Sequence, residues 1–523
     1  MQHKHYHFIV LVIILLSTQL FSESQLKIRA WQLHEYDIEY CQQAIDLAQE
    51  YDVTHIVFSH NLVWYTEEML EAGRRGRHIN TLAARAHKRG MKAWIWTHEV
   101  HGVPDKFLKD GKVTLDNPDF WEWEKEKYRT LFQRFENIDG MILTFHETTF
   151  KIYHDDDAVS TLPEHERVTK LINTINEACE EFGKDLIVRT FAYEPAELDW
   201  IKKGLEKVDK RVMVESKVVP HEWDPYYPHN PLIGAFPERK QIIEFHSAAE
   251  IGGYNMTPYP HPEYFKMRLK YDLEHGAYGY ITRIDVGTYY NALGTPNELN
   301  LYTLYRLADN PDTDTEAIWK DWAVERYGEA AAPYAIAALK RAFDISNKTY
   351  YTLEFWITDH TKFPSYHYAD GHISSRTVAK WIPTEKYKKL ENDLNNPYPE
   401  LLEEILAEKD EAIALCRESL IDLEKGKPFF HPDDYNDLHW RFMLDLNATI
   451  IWKYFNEAFF GYKILENHYS KPLHNRVVRA VNYLERWAAI NETEFGEDIV
   501  PGNPDRIRSF VKEMREKLSA LKQ

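Results

Sequence analysis

Between Leu26 and about Leu307, short runs dense in Val, Ile and aromatic residues alternate with stretches whose apolar positions recur at helical spacing. The short runs read as buried strands: LKIRAW, HIVFSH (55–60), MKAWIWTHEV (91–100), GMILTFHE (140–147), DLIVRTFAY (185–193), RVMVESKVV, RKQIIEFHS and GYITRIDVG (279–287). The intervening stretches predict helices around 39–50, over INTLAARAHKRG and near 163–182. Another is opened by Asp116-Asn117-Pro118, which joins a capping side chain to Pro at the first helical position. Leu299 to Leu307 begins a closing helix. Eight strands alternating with helices over about 280 residues is the size of one (β/α)8 TIM barrel.

After Asn310-Pro311-Asp312 the pattern changes to long amphipathic helices such as EEILAEKDEAIALCRESLIDLEKG, punctuated by Asn395-Asn396-Pro397 and Gly426-Lys427-Pro428. The chain therefore divides into a leader (1–24), a barrel domain (25–311) and an all-α C-terminal domain (312–523). Phe363 to Ile373 is too irregular and aromatic for a helix and is expected to reach back towards the barrel mouth. In the leader, MQHKHYH carries positive charge and FIVLVIILL is too short to span a bilayer. Ser22 and Ser24 then stand at the −3 and −1 positions of a cleavage site after Ser24. Export to the periplasm or medium follows from this reading, with no further domain before the first strand. No later stretch reaches transmembrane length.

Composition narrows the partners. A net charge of −20, without a long basic cluster, argues against nucleic acid or an anionic membrane surface. The 15 Trp and 33 Tyr suit a surface that stacks on sugar rings, although most of them serve the core. Cys41, Cys179 and Cys416 are widely spaced and read as buried free thiols.

The candidate chemistry lies at predicted strand ends. Glu222 and Glu250 stand 28 residues apart, each following one of two consecutive strands, and Glu147 follows an earlier one. In a parallel barrel these ends open onto one face, and acids converging there suit acid/base hydrolysis of a glycosidic bond. Glu147 in an apolar pocket would have a raised pKa and could give its proton to the leaving oxygen. Asp224 is a rival to Glu222 as base, and Glu244, inside its strand, reads as a satisfied structural acid. Trp96, His146 and Trp223 are placed to contact sugar. Arg189 and Lys217, both at strand ends, either hold a substrate carboxylate or form barrel-internal ion pairs, for example Lys217 with Glu215. His60, His98, His146 and His246 raise a metal-dependent hydrolase as an alternative, but no tight His/Asp cluster accompanies them. A glycan-binding barrel without catalysis is the third class.

KVVPHEWDPYYPHNPLIGAF, IIEFHSAAEIGG and NLYTLYRLADNPDTDTEAIWKDWAVERYG resemble, in order and spacing, parts of the glycoside hydrolase family 67 α-glucuronidases, and DGMILTFHE resembles their fourth strand. The resemblance covers about 140 to 330 and, loosely, the helical tail. It implies an exo-acting, inverting α-glucuronidase or related α-uronidase without a cofactor, acting on polysaccharide-derived oligosaccharides, with a homodimer left open. Glu147 would be the general acid, Glu222 and Glu250 the pair that activates water, and Arg189 and Lys217 the groups holding the uronate. Three features depart from the family. Its N-terminal domain is absent, Glu222 stands for its Asp, and Leu143 or Thr144 stands where it has a Lys. The last keeps a neutral sugar in play.

Overall fold

The computed structural model describes residues 26–287 and 290–521, so the leader reading lies outside the described residues. Eight parallel strands close into a barrel: β1 (Ile28–Leu33), β2 (His55–Phe58), β3 (Lys92–His98), β4 (Gly140–Thr144), β5 (Asp185–Arg189), β6 (Met213–Lys217), β7 (Gln241–His246) and β8 (Gly279–Arg283). Each strand pairs with its sequence neighbours, and β8 returns to β1 with Ile28 opposite Gly279. The expected (β/α)8 barrel with a helical C-terminal region is therefore the observed fold. Several strands are shorter at their C-terminal ends than the apolar runs suggested. Phe145, His146 and Glu147, for instance, lie beyond β4, because the chain there breaks into turns that carry polar groups over the mouth.

The helices facing the barrel include Ile38–Ala48, Arg75–Lys88, Pro118–Arg134, Glu164–Glu181, Pro195–Glu206, Pro262–Glu274 and Glu298–Asp309. Asn117 caps the third of these, accepting from Asp119 N, with Pro118 at its start. The alternation fails once. Between β6 and β7 the chain runs as turns and loop, and this long connection carries Glu222.

Period-two alternation sorts the barrel lumen into layers. Its lower part is an apolar cluster of Ile28, Ala30, Val57, Trp94, Trp96, Ile142, Ile187, Met213, Ile242 and Ile281. The next residues at the same phase are polar: Gln32, His98, Thr144, Arg189, Glu215, Lys217, Glu244, His246 and Arg283, all buried. The floor is sealed and the C-terminal face is polar.

Four helices of the C-terminal region, Pro399–Gly426, Pro432–Asn467, Lys471–Phe495 and Pro504–Ala520, carry Pro at their first or second position, where its fixed φ and missing N–H suit a first turn. They share one hydrophobic core with the outer face of the second half of the barrel. Phe245, Tyr280, Phe265 and Leu304 pack in the same cluster as Trp319, Trp452 and Phe459. The segment expected to be non-helical contains a helix, Tyr366–Ser375, started by the Ser365 side chain accepting from Tyr368 N. That cap outweighs the local aromatic content.

Candidate active site

Glu147, Glu222 and Glu250 lie beyond the C-terminal ends of β4, β6 and β7. Each is aimed by a left-handed turn: φ is 57° at Glu147, 45° at Glu222 and 50° at Ala249, just before Glu250. Such residues cost on the order of 1–3 kcal/mol and persist where surrounding structure holds them.

Glu147 is the most open of the three. Its main-chain carbonyl accepts from Trp64 Nε1 (3.2 Å), and its Oε1 from Tyr193 OH (3.5 Å). Its Oε2 is 3.8 Å from His98 Nε2, an ion-pair rather than a hydrogen-bond separation. Burial pushes the carboxyl up, but His98 and Arg189 outweigh it and hold Glu147 down to about 2, against the opposing charge of Glu222. The raised value expected of this residue is corrected here, because the pocket is polar rather than apolar. His98 Nδ1 lies 2.9 Å from the Trp64 carbonyl, which only accepts, so Nδ1 carries hydrogen and Nε2 turns to Glu147. Burial lowers the His98 pKa. At neutral pH the resting pair is therefore a carboxylate beside a neutral imidazole whose bare Nε2 faces Glu147.

Glu222 is buried, with Lys217 Nζ 3.4 Å from Oε2 and His221 Nε2 3.9 Å from Oε1. Burial opposes ionisation, yet Lys217, His221, His360 and Arg376 hold it well below the usual carboxylate range. Glu250 has Arg283 Nη1 at 3.4 Å and His246 Nε2 at 3.8 Å from Oε2, while its own N–H donates to that imidazole nitrogen at 2.8 Å. Asp224 accepts from Tyr226 N (2.8 Å) within its own turn, and burial pushes it up to about 8. The raised value works against Asp224 as the base.

The cations divide by role. Arg189 is 1% exposed and spans Glu244, with Nε–Oε2 at 2.9 Å and Nη2–Oε2 at 2.8 Å. It also lies 3.5 Å from Glu215 and over the rings of Trp96 (4.5 Å) and Phe191 (4.6 Å). Its fork is taken, so the barrel-internal reading applies to Arg189 and the uronate assignment is corrected. Lys217 pairs with Glu222 rather than Glu215 and sits 4.3 Å from the Phe191 ring centroid and 4.4 Å from that of Trp223. Burial lowers it to about 8, offset in part by Glu222.

Trp223 is the platform under this group, with Lys217 and Arg283 over its ring and His246 stacked at 5.0 Å. Trp96 lies in the lumen floor below Arg189. His146, expected to meet sugar, is fully buried against Tyr153 OH (2.8 Å) and Glu197 (3.5 Å) and is therefore corrected to a supporting residue. Several buried polar atoms here have no hydrogen-bond partner: His98 Nε2, His221 Nε2, His246 Nδ1, Trp96 Nε1, Trp223 Nε1 and Thr144 Oγ1. Unmet donors and acceptors at one barrel end fit a hydroxyl-rich ligand. Among the described residues no group of three or more His, Cys, Asp or Glu is arranged to hold a metal ion.

Sequence reasoning missed Arg283, Tyr193, Trp64, His360 and Arg376, and cited His98 only for metal. Arg283 was findable, since it continues the inward phase of Gly279 and Ile281. His360 and Arg376 come from the helical region, where no periodic signal marks them.

No family model matches this chain, and neither does any curated protein. Among solved structures it is similar to a GH138 glycoside hydrolase targeting pectin rhamnogalacturonan II. That match has 13% identity and a TM-score of 0.63, over 95% of this chain and 84% of that one. A mutant of the Thermobaculum terrenum O-GlcNAc hydrolase aligns at 11% identity and a TM-score of 0.48, over 95% and 96%. The first likeness establishes a shared fold.

Proposed function

We propose that this protein is a glycoside hydrolase: an exported, exo-acting, inverting α-glucuronidase or related α-uronidase that works without a cofactor. The observation that carries the reading is the placement of Glu147, Glu222 and Glu250 on left-handed turns at one barrel end, among unpartnered buried polar atoms. The family 67 resemblance supplies the uronate, and the fold shared with an enzyme targeting pectin rhamnogalacturonan II supports a glycan substrate. Export rests on the leader sequence.

In this account Glu147 takes up a proton from solvent as the sugar binds and gives it to the leaving oxygen. A bound sugar displaces water from the mouth, which favours the neutral carboxylic acid form of Glu147. Glu222, kept ionised by Lys217, accepts a proton from water, and Glu250 fixes that water with it. Inversion requires about 6.5–9.5 Å between the acid and this pair.

A neutral-sugar α-glycosidase is the second reading, favoured by the engagement of Arg189 within the barrel. A panel of uronic-acid-capped and neutral α-linked oligosaccharides separates the two. Release of terminal uronic acid alone supports the first, whereas turnover confined to neutral caps rejects it.

A further inference from the structure

The barrel's own cations at the mouth are spent. Arg189 serves Glu244 and Glu215, Arg283 serves Glu244 and Glu250, and Lys217 serves Glu222. A substrate carboxylate entering this site must find its cation elsewhere, and the helical region brings one. Thr361 Oγ1 donates to the Glu250 carbonyl (3.1 Å), and Tyr227 OH, five residues past Glu222, donates to the Arg376 carbonyl (3.0 Å). Both flanks of the helix Tyr366–Ser375 are thus tied to the loops that carry the acids.

Between these ties Arg376 is half-buried, with its guanidinium 5.2 Å from the Trp356 ring centroid. Its Nη1 is buried and has no hydrogen-bond partner. Tyr227 holds the Arg376 main chain beside the loop that carries Glu222, and the Arg376 charge helps to hold the Glu222 carboxyl low. His360 faces the same space. It is 5.4 Å from the Trp356 ring, 3.3 Å from Asp359, and interacts with the charges of Glu222 and Glu250. Asp359 is engaged further by Tyr368 OH and Arg506, both at 3.2 Å. A buried guanidinium N–H without an acceptor is unfavourable, and a planar fork resting on an indole is preorganised for a carboxylate.

We propose that Arg376 is the anion-recognition residue of this site and takes the carboxylate of the substrate's terminal uronic acid, an assignment that rests on the uronidase reading. The helical region then completes the specificity pocket of the barrel.

The test is calorimetric titration of the full chain with free uronic acids and with the corresponding neutral sugars, for wild type, Arg376→Gln and Arg376→Lys. Wild type is expected to prefer the uronic acid. Arg376→Gln should weaken that binding about 10- to 100-fold and leave neutral-sugar binding unchanged, with Arg376→Lys in between. Retention of the preference in Arg376→Gln overturns the assignment while sparing the uronidase reading. Equal weakening for both sugars also overturns it, showing a structural role. A wild type without any preference rejects the uronidase reading and the occupant together. Because Nη1 bonds to no protein atom, thermal melting of Arg376→Gln should match wild type; if it falls, the Arg376→Lys titration decides.

Discussion

At the residue scale, the mouth is governed by which charges are already paired. Lys217 is the nearest cation to Glu222 and the main influence holding its carboxyl low. A lowered base is lost only at acid pH, when its carboxylate is protonated. Lys217→Met removes the positive charge and raises the Glu222 value, so the acid limb of kcat/KM should move to higher pH. An unmoved limb in a folded variant would remove Glu222 from the base role. The three acids were legible because strand-end position and a 28-residue spacing are written in the chain. Their partners were not. That Arg189 turns to Glu244 rather than to a ligand depends on lumen register across three strands, which single-strand patterns do not encode.

At the element scale, barrel closure depends on how tightly β8 approaches β1. A Cβ added at Gly279 would meet the Ile28 carbonyl oxygen and Cβ, both at 2.5 Å, and backbone cannot step aside as a side-chain tip can. Gly279→Ala should destabilise the protein by about 1–3 kcal/mol, read as a lower chemical-denaturation midpoint. Wild-type stability in this variant would mean that the closing strands have slack. All eight strands were legible from β-branched runs bounded by Gly and Pro, and Asn117-Pro118 marked its helix start. The helix at Tyr366–Ser375 was not, because a serine cap decided it against the local composition.

At the scale of the whole molecule, barrel and helical region are joined by one apolar core and by polar ties at the mouth. The helical core also contains a buried acid. Asp445 lies within Pro432–Asn467, its two carboxyl oxygens have no partner, and burial raises its pKa well above the usual value. A raised folded value means the native state holds the proton more tightly than the unfolded chain. Stability therefore falls as pH climbs from the ordinary carboxylate value, about 3.9, towards the folded one. Asp445→Asn should melt higher than wild type at pH 8, with the difference closing near pH 4. A pH-independent difference would contradict a protonated Asp445. The two-part architecture was legible from the change of periodicity after Asn310, and Phe363 to Ile373 was expected near the mouth, but His360 and Arg376 themselves were not, since tertiary folding alone brings them to the acid-bearing loops.

The central claim is that Glu147 donates a proton while Glu222 and Glu250 direct water to the opposite face of a terminal uronic acid. NMR of the sugar first released from an α-uronosyl-capped oligosaccharide, by wild type and by Glu147→Gln, tests it most directly. The account predicts β-anomer from wild type and a rate about 10²–10⁴-fold lower from Glu147→Gln, with much of the loss regained on substrates whose leaving groups need no protonation. A first-formed α-anomer, or an undiminished rate for Glu147→Gln on the oligosaccharide, would contradict it.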